Sequence, residues 1–483
     1  MFQAAITAHA RDKPDAPAFE TLQQTVTYGR LKTDLDRLSH RLDALGYAPR
    51  SLIGVWVRDP YLMWLTLIAL ERVRLTSFSF FSESFDQTSH RLARPAIVLT
   101  DRTDGAGDPR FAVIDQSWLE GPLVEFEERP ASAEDPVRLY LSSGTTGVSK
   151  KVVWTRRILD SRVAVIRERV LRASPRSLTL FMPQTGLGFS IPLATWLVGG
   201  TVLGCEKMTW EPDSWSLRPN LIALTPRQLQ DLAVSLTINH KPDPDLQLMT
   251  GGSPTPRRLR RTIQTRVTPD LNIWYGANEA GLIAHCPPAI IERYETAAGR
   301  VLPTAQAQVV DDADAVLPAN EVGRIRVKTT MLAAGYLDNP ELTNTTFRDG
   351  WFYPGDMGFL SEDGILVLEG RASEVLNIGG TKLSPDLVER TALAVAGVLD
   401  AAAFTLPGPQ GIPFLTVAVQ PGDGFSPKAV SAALEGQFPV RPIRVVQLRR
   451  IPRNAGGKIQ RDLLRPLIQG RPGAKRTGRR PRR

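Results

Sequence analysis

Residues 140–150 read Tyr-Leu-Ser-Ser-Gly-Thr-Thr-Gly-Val-Ser-Lys, and this stretch decides how the rest of the chain is interpreted. The apolar, β-forming run 137–141 passes directly into small residues, which predicts a strand followed by a tight loop. Glycines let a backbone approach an anion closely, and the exposed amides of such a loop can form an anion-binding nest. Hydroxyl side chains and Lys150 add donors and positive charge. The pattern therefore predicts a loop that binds a polyphosphate.

The loop is not a Walker A phosphate loop, in which a glycine stands directly before the lysine. Counted from Gly144, the position of that glycine is taken by Ser149. Small hydroxyl residues and glycine are also typical of ordinary turns, so the loop by itself leaves two interpretations open. Motifs elsewhere in the chain decide between them.

These motifs follow one another in a fixed order. They are Gly251-Gly252-Ser253-Pro254, Tyr275-Gly276-Ala277-Asn278-Glu279, Gly335-Tyr336 with Pro340-Glu341-Leu342-Thr343, Trp351-Phe352-Tyr353-Pro354-Gly355-Asp356, Gly370-Arg371 through Ser384-Pro385, and Arg453-Asn454-Ala455-Gly456-Gly457-Lys458. Together with the loop at 142–150 they resemble the motifs of the adenylate-forming superfamily, which includes acyl- and aryl-CoA ligases, nonribosomal adenylation domains and luciferases. The resemblance covers nearly all of the chain before its C-terminal tail.

The composition is that of a globular protein with more than one domain. The chain has 483 residues, of which 42% are hydrophobic, enough for two or more sizeable cores. Its two cysteines, Cys205 and Cys286, provide no disulfide framework, which fits a reducing compartment and predicts a cytoplasmic location. The five histidines are scattered, which argues against a transition-metal site.

Neither a signal peptide nor a transmembrane segment is predicted. The N-terminus is interpreted as an amphipathic helix that is broken by Pro14 and Pro17. The most apolar run, 61–70, lies between Asp59 and Glu71 and is too short to cross a bilayer. It is therefore predicted to be a buried helix.

The net charge of +9 is unevenly distributed, because no acidic residue follows Asp462 and the segment 471–483 is strongly basic. With its prolines and glycines this segment lacks the apolar residues to pack a core, so we predict a disordered tail. A basic tail can bind nucleic acid or an anionic membrane. The interpretation we favour is a solubilising extension, with no specific nucleic-acid partner.

The order of apolar runs predicts an α/β fold. Strands are predicted at 178–182, 201–204, 221–224, 246–250 and 271–275, with helices at 192–198, 227–236 and 256–267 between them. Strands that alternate with helices favour parallel sheets covered by helices. Beyond residue 300, strands at 305–310 and 323–328 and a hairpin around Glu362-Asp363-Gly364 indicate a small β subdomain.

The predicted domains follow from this pattern. Residues 1–371 are predicted to form a large N-terminal domain of helix-covered sheets plus the small β subdomain, and the resemblance implies that this domain binds ATP and the acyl group. Residues 372–470 are predicted to form a smaller α+β C-terminal domain, which the resemblance implies is a mobile lid, and 471–483 are the basic tail.

The resemblance implies an enzyme that uses ATP and Mg²⁺ to convert a carboxylic acid into an acyl adenylate, releases pyrophosphate, and transfers the acyl group to coenzyme A. It assigns Lys458 to bridging the carboxylate and the α-phosphate, Lys150 to the phosphates, and Glu279 to Mg²⁺, a cation that prefers oxygen ligands. Tyr275 is expected to stack on adenine, and Asp356 to accept hydrogen bonds from the ribose hydroxyls. The remaining nucleotide-binding residues that it implies are Ser142, Ser143, Gly144, Thr145, Thr146, Gly147, Gly252, Ser253, Gly276, Asn278 and Arg371.

The sequence departs from the family's motifs at several positions. Lys151 replaces a glycine after the phosphate loop, Asn278 replaces a threonine, and Ser373 and Asn377 replace charged residues of the hinge region. We expect these departures to affect the rate of catalysis and the second half-reaction, which is the transfer of the acyl group to the thiol, more than nucleotide binding.

The acyl pocket implied by the resemblance follows the strand at 178–182 and flanks the Tyr275 motif. Its residues are Gln184, Thr185, Gly188, Phe189 and Leu282. This lining suits an aryl or aliphatic acid. The segment 186–191 lacks an aspartate for a substrate ammonium, and a buried ammonium without a partner is costly, so an amino acid is disfavoured.

Three functions remain open at this point. The leading one is a carboxylate–CoA ligase. The second is a stand-alone adenylation enzyme that loads the phosphopantetheine of an acyl carrier protein. The third is a nucleotide-binding regulatory protein with lapsed catalysis, against which the presence of Lys150, Glu279, Asp356, Arg371 and Lys458 argues. The oligomeric state, monomer or homodimer, is also open.

Overall fold

The computed structural model describes residues 1–80, 85–102, 107–143, 149–205, 210–236, 241–294, 296–372, 376–378, 381–407, 413–453 and 459–469. No helix in these ranges is both long enough and apolar enough to cross a bilayer. The predicted tail at 471–483 lies outside the described residues.

Several helices begin at a side chain that caps the first turn. Thr225 and Gln228 form a reciprocal capping box, and the Asp59 carboxylate accepts from the amide of Leu62. The helices are α1 Phe2–Asp12, α2 Tyr28–Ala44, α3 Pro60–Arg72, α4 Gln87–Ala93, α5 Arg156–Arg169, α6 Gly186–Leu197, α7 Pro226–Ser235, α8 Arg257–Arg266, α9 Pro288–Ile291, α10 Pro340–Thr346, α11 Pro385–Leu393, α12 Pro427–Gln437 and α13 Arg461–Gln469.

The strands are short and rich in β-branched and aromatic residues, as the sequence predicts. They are β1 Pro17–Glu20, β2 Thr25–Thr27, β3 Leu52–Trp56, β4 Thr76–Ser79, β5 Ile97–Thr100, β6 Phe111–Val113, β7 Pro136–Ser143, β8 Ser149–Thr155, β9 Arg176–Thr179, β10 Thr201–Leu203, β11 Leu221–Leu224, β12 Gln247–Gly251, β13 Leu271–Ala277, β14 Gly281–Cys286, β15 Ala297–Val301, β16 Ala305–Val310, β17 Gly323–Thr329, β18 Phe347–Arg348, β19 Trp351–Phe352, β20 Asp356–Leu360, β21 Ile365–Arg371, β22 Leu376–Ile378, β23 Thr381–Leu383, β24 Val398–Pro407, β25 Pro413–Pro421 and β26 Ile443–Gln447.

One sheet carries the ends of the predicted phosphate loop. Its strand order is β6–β5–β3–β4–β7–β8, with parallel pairs as far as β7 and β8 antiparallel to β7. The β7–β8 ladder extends to the pair Ser143 and Ser149. The segment 144–148 therefore connects two strands that are still hydrogen-bonded where it begins and ends.

A second, larger sheet joins the predicted parallel core to the predicted β subdomain. Its order is β18–β19–β17–β20–β21–β15–β14–β13–β12–β11–β9–β10–β1–β2, with β16 beside β17. Strands β1, β10, β9, β11, β12 and β13 pair in parallel, in that order across the sheet. On the other side of β13 the pairs are antiparallel, through β14, β15, β21, β20, β17, β19 and β18 in turn. The α/β class is confirmed, and the β subdomain continues the large sheet through the β15–β21 pair.

The main core lies around α3, which packs against α2 and against β3 and β4. The helix is buried on all sides from Tyr61 to Arg72, which confirms the buried helix predicted at 61–70. Trp64 of α3 contacts Trp196 of α6 at 5.8 Å between ring centroids. Trp196 is fully buried, and its indole donates to the carbonyl of Ala18. Truncation of such a residue costs ~3–5 kcal/mol.

The start of α6 differs from the prediction. The sequence predicts a helix over 192–198, whereas glycines such as Gly186 and Gly188 are poor helix formers. The helix instead begins at Gly186, where the hydroxyl of Thr185 accepts from the amide of Gly188. Burial of nearly every α6 side chain compensates for the glycines.

The C-terminal part forms a separate three-stranded sheet, β24–β25–β26, with α11, α12 and α13. Within the described ranges, β22–β26 pair only with one another. The Gln230 side chain of α7 donates to the carbonyl of Leu399, so this part touches the large sheet's helices. The domain boundary near Arg371 coincides with the end of β21 and stays a prediction.

Candidate active site

A cavity of about 350 Å³ lies beyond the carboxyl ends of the parallel strands β12 and β13, the edge at which such sheets bind ligands. We call it the nucleotide cavity, after the ligand that the family resemblance predicts for its residues. It brings together residues that the sequence proposed separately: Lys150, Gly252, Ser253, Tyr275, Gly276, Glu279, Asp356 and Arg371. Two side chains of the C-terminal part, Asp386 and Arg390, also line it.

Tyr275, Asp356 and Arg371 form a connected group in this cavity. The Tyr275 hydroxyl donates to Oδ2 of Asp356 at 2.5 Å, and the Arg371 Nε lies 3.1 Å from Oδ1. The pairing of β20 with β21 places Asp356 opposite Arg371. Burial, together with the Asp356 charge, holds the pKa of Tyr275 well above its usual range. The phenol is therefore a hydrogen-bond donor that orients the carboxylate.

Glu279, Tyr336 and Lys150 form a second group. The Tyr336 hydroxyl donates to Oε1 of Glu279 at 3.0 Å, and the Lys150 ammonium lies 3.4 Å from the same hydroxyl. Burial, reinforced by Glu279, raises the pKa of Tyr336. Among the described residues, the Glu279 carboxylate has one hydrogen-bond partner, the Tyr336 hydroxyl. The other lone pairs of the carboxylate remain for a ligand in the cavity.

Several predicted site residues fall outside the described ranges or have side chains outside the description. Gly144, Thr145, Thr146 and Gly147 lie outside the described residues, as does Lys458. The side chains of Ser142 and Ser143 are likewise outside the description, although their backbones belong to β7. Lys150, at the start of β8, lines the nucleotide cavity, so one end of the loop meets it.

A second cavity adjoins the first, and we call it the acyl cavity, after the group that the family resemblance predicts for this region. Its volume is about 230 Å³, and its lining shares Gly252, Trp274, Gly276 and Ala277 with the nucleotide cavity. Gly252 adopts a φ of +87°, which favours glycine at this shared wall. The remaining lining is Arg162, Ile166, Phe181, Thr185, Gly186, Leu187, Ser190, Asn278, Gly281, Leu282 and Met331.

The predicted acyl residues divide into two groups. Thr185 and Leu282 line the acyl cavity, whereas Gln184, Gly188 and Phe189 do not. Phe189 is in the core, stacked on Trp64.

Local contacts explain why two of these residues, Gly188 and Gln184, do not line the cavity. An added Cβ at Gly188 would lie 2.1 Å from the carbonyl oxygen of Met182, so this glycine lets α6 pack closely on the preceding segment. The amide of Gln184 turns to the Met182 sulfur at 3.2 Å. The helix start at Gly186 explains the difference, because it turns Gly188 and Phe189 away from the cavity.

Asn278 also differs from its predicted role. It lines the acyl cavity and not the nucleotide cavity. Its Oδ1 accepts from the amide of Gly186 at 3.0 Å, so it holds the first turn of α6. The other departure near the loop, Lys151, pairs with Asp338 at 2.8 Å.

Arg162, a buried cation in the wall of the acyl cavity, is not among the site residues predicted from the sequence. A signal was present: Arg162 interrupts the buried positions Ile158, Leu159, Val163 and Ile166 on one face of α5. A charged residue at an apolar position of an amphipathic helix indicates either a buried ion pair or a ligand.

Comparisons with known proteins identify the family and the fold. A family model described as AMP-binding enzyme matches residues 6–337. The chain is 30% identical over 380 residues to the 4-coumarate–CoA ligase-like 4 of Oryza sativa subsp. japonica, covering 74% of this chain and 68% of that protein. It is 27% identical over 376 residues to the fatty acid–[acyl-carrier-protein] ligase MmaC of Mycobacterium marinum, 70% of each. ATP-bound MatB from Rhodopseudomonas palustris shares the fold, with a TM-score of 0.85 over 97% of this chain and 99% of that chain at 21% identity.

Proposed function

Since the chain belongs to the AMP-binding enzyme family, we propose that its two adjoining cavities hold the two reactants of an acyl adenylation, ATP in the nucleotide cavity and a carboxylic acid in the acyl cavity. The protein is an AMP-forming ligase: it activates a carboxylic acid as the acyl adenylate and transfers the acyl group to a thiol. The observation that carries the assignment of the cavities is their shared wall, Gly252, Trp274, Gly276 and Ala277, across which the carboxylate can meet the α-phosphate.

In the first step a carboxylate oxygen attacks the α-phosphorus, the bond from that phosphorus to the bridging oxygen breaks, and pyrophosphate leaves with the electron pair. The protein contributes position and charge stabilisation. Asp356 accepts from the ribose hydroxyls, and Tyr275 and Arg371 hold its carboxylate in place.

The phosphate end of ATP is assigned to Lys150, to the loop residues Ser142, Ser143, Gly144, Thr145, Thr146 and Gly147, and to Lys458 from the C-terminal part. The support is the family motif, together with the position of Lys150 in the nucleotide cavity. A lysine directed at the oxygen that gains negative charge in the transition state lowers the barrier to adenylation.

The residues fit a Mg²⁺ ion beside the phosphates. Glu279 is 8% exposed and lines the cavity, and its carboxylate has one hydrogen-bond partner among the described residues, so a hard oxygen is left for a ligand. When bound, Mg²⁺ neutralises phosphate charge. Tyr336 orients Glu279 for that contact.

In the second step a thiol attacks the acyl carbonyl, AMP leaves, and a thioester forms. We propose coenzyme A as the acceptor, as in the name of the rice relative. A carrier-protein phosphopantetheine is the second candidate, favoured by the similarity to MmaC.

The experiment is an assay of pyrophosphate release over a panel of carboxylic acids, followed by thioester formation with coenzyme A or with a phosphopantetheinylated carrier protein. We expect pyrophosphate release for at least one acid, and its loss in Asp356→Ala. Asp312→Ala, on a fully exposed side chain, is the control. If no acid is activated although ATP binds, the proposed function is wrong.

A further inference from the structure

The acyl cavity contains a positive charge that adenylation does not use. Arg162 of α5 is 6% exposed, and no carboxylate forms an ion pair with it among the described residues. Its Nη2 donates to the backbone carbonyl of Asn278 at 2.5 Å, and its Cζ lies 3.7 Å from the centre of the Trp154 ring. Its Nε has no hydrogen-bond partner in the described part of the chain.

Arg162 reaches the cavity because Gly186 leaves room for it. An added Cβ at Gly186 would lie 3.1 Å from Nη1 of Arg162. Burial lowers the pKa of Arg162 to about 9, so the guanidinium is still mostly protonated at neutral pH. The Glu279 carboxylate opposes this lowering from a distance but forms no ion pair with Arg162, so burial still lowers the pKa. A ligand of opposite charge in contact with the guanidinium relieves the remaining cost of burial.

Two more donors in the same cavity wall are unpartnered. The hydroxyl of Ser190 and the indole Nε1 of Trp274 are both buried and have no hydrogen-bond partner among the described residues. Buried polar atoms are almost always hydrogen-bonded in folded proteins. Three unpartnered donors around one cavity therefore point to a ligand that brings acceptor atoms.

We propose that the acid activated in this cavity is a compact dicarboxylic acid, whose second carboxylate binds Arg162 with Ser190 and Trp274 as additional donors, an inference that rests on the proposed function. The acid enters with one carboxylate toward the nucleotide cavity and the other toward α5 and α6. Only the first is activated, because Arg162 and Ser190 line the acyl cavity alone.

The size of the cavity limits the acid. A cavity of about 150 Å³ is enough for benzene, and the acyl cavity has about 230 Å³. This volume accommodates one ring, or a chain of similar length, with its two carboxylates.

The competing explanation is that Arg162 has only a structural role. Its Nη2 and the Trp154 indole both donate to the Asn278 carbonyl, at 2.5 and 3.0 Å, and so position the segment before Glu279. A purely structural Arg162 affects every acid equally, whereas a carboxylate-binding Arg162 affects only the diacids. The two explanations therefore differ in substrate preference.

The test compares terephthalate and isophthalate with 4-methylbenzoate and 3-methylbenzoate, which match them in shape but lack the second charge. For the wild-type protein we expect kcat/KM of pyrophosphate release to be about a hundredfold or more higher for a diacid than for its methyl analogue, because a site with buried donors rejects a ligand that leaves them unpaired. Short aliphatic diacids and monoacids of equal length extend the comparison to non-aromatic acids.

Arg162→Met should remove this preference by lowering kcat/KM for the diacid alone, and Arg162→Lys should restore part of it. Equal loss for both classes, or a wild-type protein that prefers monoacids, overturns the inference while the proposed function stands. Failure with every acid overturns both.

A second variant is available if Arg162→Met does not fold, as judged by thermal melting and ATP binding. Ser190→Ala keeps the guanidinium and removes one donor, so it should lower kcat/KM for the diacid about fivefold to tenfold, in line with the loss of one hydrogen bond. An unchanged diacid preference in this variant counts against the inference.

Discussion

The hydroxyl of Tyr336 donates a hydrogen bond of 3.0 Å to Oε1 of Glu279. The two residues are 57 positions apart in sequence, and both line the nucleotide cavity. Because burial and the Glu279 charge raise the pKa of Tyr336, the phenol keeps its proton and the carboxylate keeps a fixed orientation. The residue proposed for Mg²⁺ is thus held by a tyrosine that has no assigned part in the chemistry.

Glu279→Gln should lower the rate of adenylate formation by on the order of a hundredfold, because it removes a charge beside the phosphates. The measurement is pyrophosphate release as a function of Mg²⁺ concentration. Tyr336→Phe, which keeps the ring and leaves Glu279 charged, should cost about tenfold or less. Near-normal adenylate formation by Glu279→Gln would show that the Mg²⁺ assignment is wrong.

Tyr275→Phe should raise the KM for ATP about threefold to tenfold and leave kcat nearly unchanged. The variant keeps the ring and removes the 2.5 Å hydrogen bond to Asp356, worth about 1 kcal/mol. Calorimetric ATP titration and steady-state kinetics measure the two quantities. An unchanged KM in Tyr275→Phe, with loss of ATP binding in Tyr275→Ala, would mean that only the ring contributes.

Lys458→Ala should abolish most adenylation and spare thioester formation from a supplied acyl adenylate. The family resemblance implies that the C-terminal domain works in two orientations, and that Lys458 reaches the α-phosphate in only one of them. Ser373→Pro, which restricts the backbone at the predicted hinge, should slow at least one half-reaction. Separate assays of the two half-reactions test both variants. Equal loss of both in Lys458→Ala contradicts the two-orientation mechanism.

Deletion of residues 471–483 should leave adenylation nearly unchanged, because no motif of the family lies in this segment. The comparison is kcat/KM for ATP in the full-length and shortened proteins at equal ionic strength. A shortened protein that binds ATP but forms no adenylate would make the tail part of the site.

Cys286 should be unreactive toward thiol reagents in the folded protein at pH 8. It is fully buried, and burial raises the pKa of its thiol to about 12, so almost none of the nucleophilic thiolate is present. Cys205 is partly exposed and should react first. Titration with a chromogenic disulfide should find one fast thiol, and a second only after denaturation. Two fast thiols in the folded state are incompatible with this packing.

Local patterns in the sequence were sufficient for much of the fold. The helix at 61–70, the strand at 221–224 and the hairpin around Glu362-Asp363-Gly364 all appear where they were predicted. The reason is that hydrophobic period and turn chemistry act over a few residues. The start of α6 was wrong because a cap at Thr185 and complete burial outweigh the low helix propensity of glycine.

What the sequence by itself determined is the order of the motifs, and with it the family and the general chemistry, since these depend on residue identity and spacing. Only the tertiary structure decided which side chains meet. Tyr275 and Asp356 are 81 positions apart, and Arg162 meets Asn278 across 116 positions. No periodicity within one helix or strand encodes such contacts, because they arise when separate elements pack around a common cavity. The donors of the acyl cavity became apparent only when its walls were assembled from α5, α6 and β13.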